Sequence, residues 1–196
     1  MTAQWDTVTI VGVGLIGGSA GLALAKRGAA KKIIGVGRSV SSLEAAKELG
    51  AISEGTTNIR EGVADADFVL VATRVSVIGN QLEEIDTCVR PGTPITDAGS
   101  TKQSIVDRWE QSRSSRKGRF VGSHPLAGSH KRGPQAADPT LFEDKLTVLT
   151  PVESTPQSDT QSISAFWQLI GAQVCHLSPS EHDPVSYTHL TLPTKA

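Results

Sequence analysis

Two histidines, His124 and His130, stand six residues apart in the stretch VGSHPLAGSH, which runs from Val121 to His130. Imidazole titrates near neutrality, so it is the side chain best suited to accepting a proton at physiological pH. Upstream lies TDAGSTK, Thr96 to Lys102, whose Ser100 falls at a strand end where polar groups face cofactor and substrate. Each residue also has a plainer role. Ser100 can cap the helix that follows it, and His130, beside Lys131 and Arg132, fits a solvated basic turn as well as a contact to a substrate carboxylate. The choice between chemistry and scaffold depends on the elements that place these side chains.

A third group of residues points to an anion. In VTIVGVGLIGGSAGLALAKRG, Gly12, Gly14 and Gly17 have the G-x-G-x-x-G spacing, directly after a β-branched run and at the start of a helical pattern. The first glycine permits a tight turn, the second lets a pyrophosphate approach the backbone, and the third lets helix and strand pack closely. Leu15 and Ile16 then offer free amides at the helix N-terminus. Thr73, at the end of DFVLVAT, is assigned to the same site. A dinucleotide is therefore the expected cofactor, and the next strand bears on which one. An NAD site carries an acidic residue about twenty positions beyond the glycines; here Gly37, Arg38 and Ser39 follow the run IIGV. A guanidinium in place of a carboxylate favours a 2′-phosphate, and so NADP over NAD. Arg38 stacked on the adenine of either cofactor is the alternative.

The elements expected to position these groups alternate. Strands are predicted near 7–12, 32–36, 68–72, 94–97, 119–122, 146–150 and 173–177, with helices near 17–27, 40–49, 76–87, 101–112 and 160–170. This βα alternation predicts an α/β fold of Rossmann type, a doubly wound and mostly parallel sheet. Ligands in such sheets sit beyond the C-terminal strand ends, which is where Ser100 and His124 fall and where they are expected to meet. Residues 123–142 form a long Gly- and Pro-rich connection, a length that often marks function. Nineteen basic and twenty acidic residues among 196 leave a formal charge of −1 and no electrostatic case for nucleic acid or an acidic membrane. Cys88 and Cys175 have neither metal nor redox spacing, so free thiols, no metal and a reducing cytoplasm are expected.

The combination GVGLIGGS, TDAGSTK, GSHPLAGSHKRG, LFEDKLTVLTP and EHD, in that order, resembles the prephenate and arogenate dehydrogenase family of tyrosine biosynthesis over about residues 7–184. Arg74 in VATRV departs from the family's proline. The resemblance implies oxidative decarboxylation of a small-molecule substrate, with His124 accepting the 4-hydroxyl proton and Ser100 hydrogen-bonding it. It implies substrate contacts at Ser100, His124, Gly128 and His130, and a near-site or helix-start role for His182 and Asp183. It further implies a dinucleotide domain over 1–178, the start of a helical dimerisation domain at 179–184, and a full-length homodimer. Residues 185–196 lack helical periodicity and are expected to be a non-native or disordered tail, so that the family's C-terminal helical domain is missing. Two other classes remain open at this stage: another NADP-dependent hydroxyacid or imino-acid oxidoreductase, and a dinucleotide-binding module without catalysis.

Overall fold

The computed structural model describes residues 3–111 and 116–190, with side chains through Pro184. Eight strands form one sheet: β1 (Trp5–Val11), β2 (Ala30–Val36), β3 (Glu54–Thr56), β4 (Phe68–Val71), β5 (Pro94–Asp97), β6 (Arg119–Pro125), β7 (Leu146–Thr150) and β8 (Gln173–His176). Their spatial order is β3-β2-β1-β4-β5-β6-β7-β8. The strands from β1 to β6 are mutually parallel, β7 runs antiparallel to β6, and β8 is parallel to β7. The chain is thus of the doubly wound α/β class the alternation predicts. The central strands are apolar throughout because helices cover both faces, and all four residues of β4 are buried.

Helices α1 (Leu15–Arg27), α2 (Val40–Glu48) and α6 (Gln157–Leu169) cover one face. Leu24, Leu43, Phe166 and Trp167 pack there with Ile10, Phe68 and Phe142. The rings of Phe68 and Phe166 stack with centroids 4.2 Å apart, tying β4 to α6. Helices α3 (Ile59–Val63), α4 (Val75–Cys88) and α5 (Gln103–Gln111) cover the other face through Val63, Ile78, Leu82, Ile85 and Trp109.

Several elements differ from the sequence expectation for local reasons. β3 and α3 fill a stretch where no element is predicted, because the exposed strand has no apolar run and the helix is a single turn. Asn58 starts that turn by accepting the Arg60 N–H at 3.1 Å. β6 continues past residue 122, since His124 and Pro125 pair with Val148 and Thr147 of β7. His124 is therefore a strand residue, not part of the loop expected to begin at 123. The connection from 126 to 145 contains a 3-10 turn at Pro134–Ala136 and is held to α1, where Ser19 Oγ accepts the Asp138 N–H at 2.9 Å. The last helix, α7, spans Pro179–Leu190 with Pro184 inside it. Its backbone is helical through residues where the side-chain pattern carries no helical period, while 191–196 lie outside the described residues.

Candidate active site

The glycine turn sits where the strand order turns back, between the ends of β1 and β4. Gly12 has φ +99°, and a β-carbon there would lie 2.6 Å from the Ala72 carbonyl oxygen, so the position needs glycine for both conformation and contact. A β-carbon on Gly17 would fall 1.9 Å from the Gly12 oxygen, which is the close helix–strand approach its spacing predicts. Gly14 differs, because a β-carbon there meets nothing within 4 Å. It is also the N-cap of α1, with no side-chain cap and no acidic residue in the first turn. The amides that follow at Leu15 and Ile16 thus have neither a side-chain cap nor a first-turn carboxylate beside them. This cradle fits the pyrophosphate of a dinucleotide.

The other residues assigned to the cofactor are placed unequally. Arg38, directly beyond β2, is exposed and forms no ion pair among the described residues. Ser39 caps α2, its hydroxyl accepting the Ser42 N–H at 3.4 Å and pairing with Ser41. The Thr73 hydroxyl donates to Gln81 of α4, and its methyl would meet a Gly12 side chain, so Thr73 shapes the turn.

The ends of β5 and β6 are joined by a buried polar network that the sequence reading missed. The Lys102 ammonium bonds the Asp97 carboxylate, with both side chains wholly inaccessible, and donates to the Ser123 carbonyl at 2.9 Å. Asp97 also accepts the amides of Gly99 at 2.8 Å and Ser123 at 3.1 Å. The Ser123 hydroxyl donates to the Asp97 carbonyl, accepts the Trp167 indole N–H at 3.0 Å and lies 2.8 Å from Thr96 Oγ1. Burial pushes the Lys102 ammonium below the usual lysine range, an effect the negative charges of Asp97 and Asp183 oppose. TDAGSTK carried this signal, since an Asp and a Lys five apart across a strand-to-helix turn can close on each other.

His124 projects from β6 beside this network. Its Nδ1 lies 2.9 Å from Nε2 of His182 on α7. His182 is itself buried, and its Nδ1 lies 2.8 Å from Asp183 Oδ1. Asp183 in turn accepts the amides of Lys102 at 2.7 Å and Gln103 at 3.1 Å, capping α5 from another element. Burial lowers the His124 pKa to about 4, with the His182 and Lys102 charges acting in the same direction and Asp183 opposing them. His124 Nε2 has no hydrogen-bond partner among the described residues.

No described side-chain hydrogen bond joins Ser100 to His124 or to the start of α5. Asp183, not Ser100, caps α5, and the imidazole partner of His124 is His182. The Ser100 hydroxyl is exposed at the end of β5 and makes no side-chain hydrogen bond among the described residues. Gly128 and His130 are exposed on the connection after β6 and are not drawn to His124 by any described contact. Both cysteines are free thiols.

A strand order of 3-2-1-4-5-6, a glycine turn at its switch point and an uncapped first helix define a Rossmann-type nucleotide-binding domain. More narrowly, the chain belongs to the family described as prephenate dehydrogenase, nucleotide-binding domain, whose model matches residues 20–176. It is 39% identical over 187 residues to the prephenate dehydrogenase of Bacillus subtilis (strain 168), aligning 95% of this chain with 50% of that protein. The crystal structure of prephenate dehydrogenase from A. aeolicus in complex with hydroxyphenyl propionate and NAD+ superposes with a TM-score of 0.84 at 33% identity, over 92% of this chain and 62% of that one. Synechocystis arogenate dehydrogenase gives 0.83 at 29% identity, over 91% and 62%. The chain therefore spans about half the length of the Bacillus subtilis relative.

Proposed function

We propose that this chain is the cofactor-binding half of a dehydrogenase that oxidatively decarboxylates prephenate, arogenate or both, using NADP or NAD. The observation that carries the reading is His124, a half-buried imidazole held neutral by its surroundings, with Nε2 unpartnered on the sheet edge that also bears the glycine turn. A dinucleotide held at Gly12, Gly14 and the N-terminus of α1 would supply the acceptor for the hydride on the ring carbon that carries the 4-hydroxyl. His124 Nε2 takes the hydroxyl proton as that carbon becomes a carbonyl-like centre. The ring carboxylate then leaves as carbon dioxide, and the electrons of the broken bond complete the aromatic ring. Aromatisation supplies the driving force, so the residues of this chain chiefly orient the reactants and hold the proton. Ser100, exposed and without an intramolecular bond at the end of β5, offers its hydroxyl to the substrate side.

The exposed Arg38, with no described carboxylate partner, supports NADP over NAD. The two free thiols support a reducing, cytoplasmic compartment, and the family resemblance supports a homodimer of the full-length protein. The test is turnover of prephenate and of arogenate with each dinucleotide, in a chain of the relatives' length that carries this domain. Reduced nicotinamide and carbon dioxide released one to one would support the reading. Tight dinucleotide binding with no turnover of either substrate would replace it with a non-catalytic binding module.

A further inference from the structure

We propose that His182 and Asp183 are the positioning pair that fixes the tautomer of His124, leaving the lone pair on Nε2. The proposal rests on the reading of His124 as proton acceptor for its consequence, but its geometry stands independently. Two ring nitrogens 2.9 Å apart, His124 Nδ1 and His182 Nε2, share one hydrogen bond, so one of them carries the proton and the other accepts it. Which one is decided by Asp183.

The Asp183 carboxyl receives two backbone amides, from Lys102 and Gln103, and lies 2.8 Å from His182 Nδ1. An ionised carboxylate is acceptor-only, so His182 Nδ1 must carry a proton and donate it. Partial burial opposes ionisation of Asp183, but the bonds from His182 and the two amides outweigh it and hold the carboxyl below its usual range. A neutral His182 with its proton on Nδ1 has only a lone pair at Nε2. His124 must then donate from Nδ1, and its own lone pair stays on Nε2.

The order of groups is thus carboxylate, buried imidazole, base. When Nε2 takes the hydroxyl proton, the charge on His124 is shared through Nδ1–H with His182 and faces the Asp183 carboxylate beyond it. Neither positioning residue touches the reacting atoms. The helix that carries them packs on α5 and β7, so the pair also couples the base to the elements on either side of the sheet edge. The charged and titratable groups acting on His124 are His182, Lys102 and Asp183.

Long-range proton–nitrogen correlation spectra of the ¹⁵N-labelled 196-residue protein test this directly. At a pH above the ordinary imidazole value of about 6.5, the His124 ring is expected to show a protonated Nδ1 and an unprotonated Nε2. A protonated Nε2 would overturn the proposal, as would an unprotonated Nδ1. His182→Phe is expected to release the ring to the Nε2–H form, and His182→Gln to retain the Nδ1–H form because its amide oxygen accepts that proton. An unchanged tautomer in His182→Phe would also overturn the pairing, and if that variant does not fold, the wild-type and His182→Gln spectra decide. In turnover, His182→Phe should lose on the order of 10²-fold in kcat with KM retained, because the base presents the wrong nitrogen. A His124 tautomer as proposed, with turnover indifferent to His124→Asn, would leave the pairing intact and remove the base.

Discussion

At the scale of single residues, the site is built from side chains whose roles depend on partners far away in sequence. His124 was singled out in the sequence because the glycine turn, the sheet edge and the family-like motifs converge on it, not because an imidazole in a loop is itself telling. Its orienting partner was not legible, because Ser100 is closer along the chain than His182 and only the path of α7 brings the second imidazole to it. Lys102 and Asp97 carry no role in the sequence reading, and in the fold they are an inaccessible ion pair that ties β5 to β6. Removing one member of such a pair leaves a buried charge uncompensated. Lys102→Met should therefore destabilise the fold by about 3–5 kcal/mol, measured by denaturant unfolding. A loss within the ordinary surface range would show that water or another group satisfies Asp97. The depressed pKa of His124 carries a second expectation at this scale. With the folded value near 4 against an ordinary imidazole value near 6.5, the acid limb of kcat/KM, which reports the free enzyme, should lie well below the ordinary imidazole value.

At the scale of elements, the βα alternation located every long strand and helix of the domain, since apolar runs and helical periodicity are set by burial on the two faces of one sheet. What escaped was short, paired by long-range contact or without helical period: β3, α3, the end of β6 and α7 beyond Pro184. No residue near His124 announces that the strand continues, because the continuation is dictated by antiparallel pairing with β7 across a long connection. The glycine turn was legible in its spacing, since Gly12 and Gly17 have no room for a β-carbon and Gly14 borders open space. Gly17→Ala, with a β-carbon placed 1.9 Å from a backbone oxygen, should lower Tm sharply. Gly14→Ala, with a β-carbon in open space, should keep Tm while weakening dinucleotide binding by calorimetry. Equal loss of stability in both would contradict the assignment of Gly14 to the ligand. At the turn beyond β2, Arg38→Ala should weaken NADP more than NAD, and an equal effect on both would favour stacking on the adenine.

For the whole molecule, proton linkage to folding and the proposed proton transfer draw on the same group, His124. Between pH values of about 6.5 and about 4, the unfolded chain binds a proton at His124 that the folded chain does not. Stability therefore falls as pH drops through that window. Asp183 acts in the same sense, because its lowered carboxyl pKa gives stability that is present above the unfolded carboxylate value and lost as pH falls through the folded one. Thermal denaturation across this range should show a slope that His124→Asn flattens. The central claim, that His124 takes the hydroxyl proton as hydride leaves the same carbon, is tested most directly by the rate of nicotinamide reduction on prephenate and arogenate, comparing wild type with His124→Asn in a chain of the relatives' length. The account predicts a fall in kcat of roughly 10²-fold or more, the range for loss of a general base, with KM little changed. An unchanged kcat in His124→Asn would contradict it.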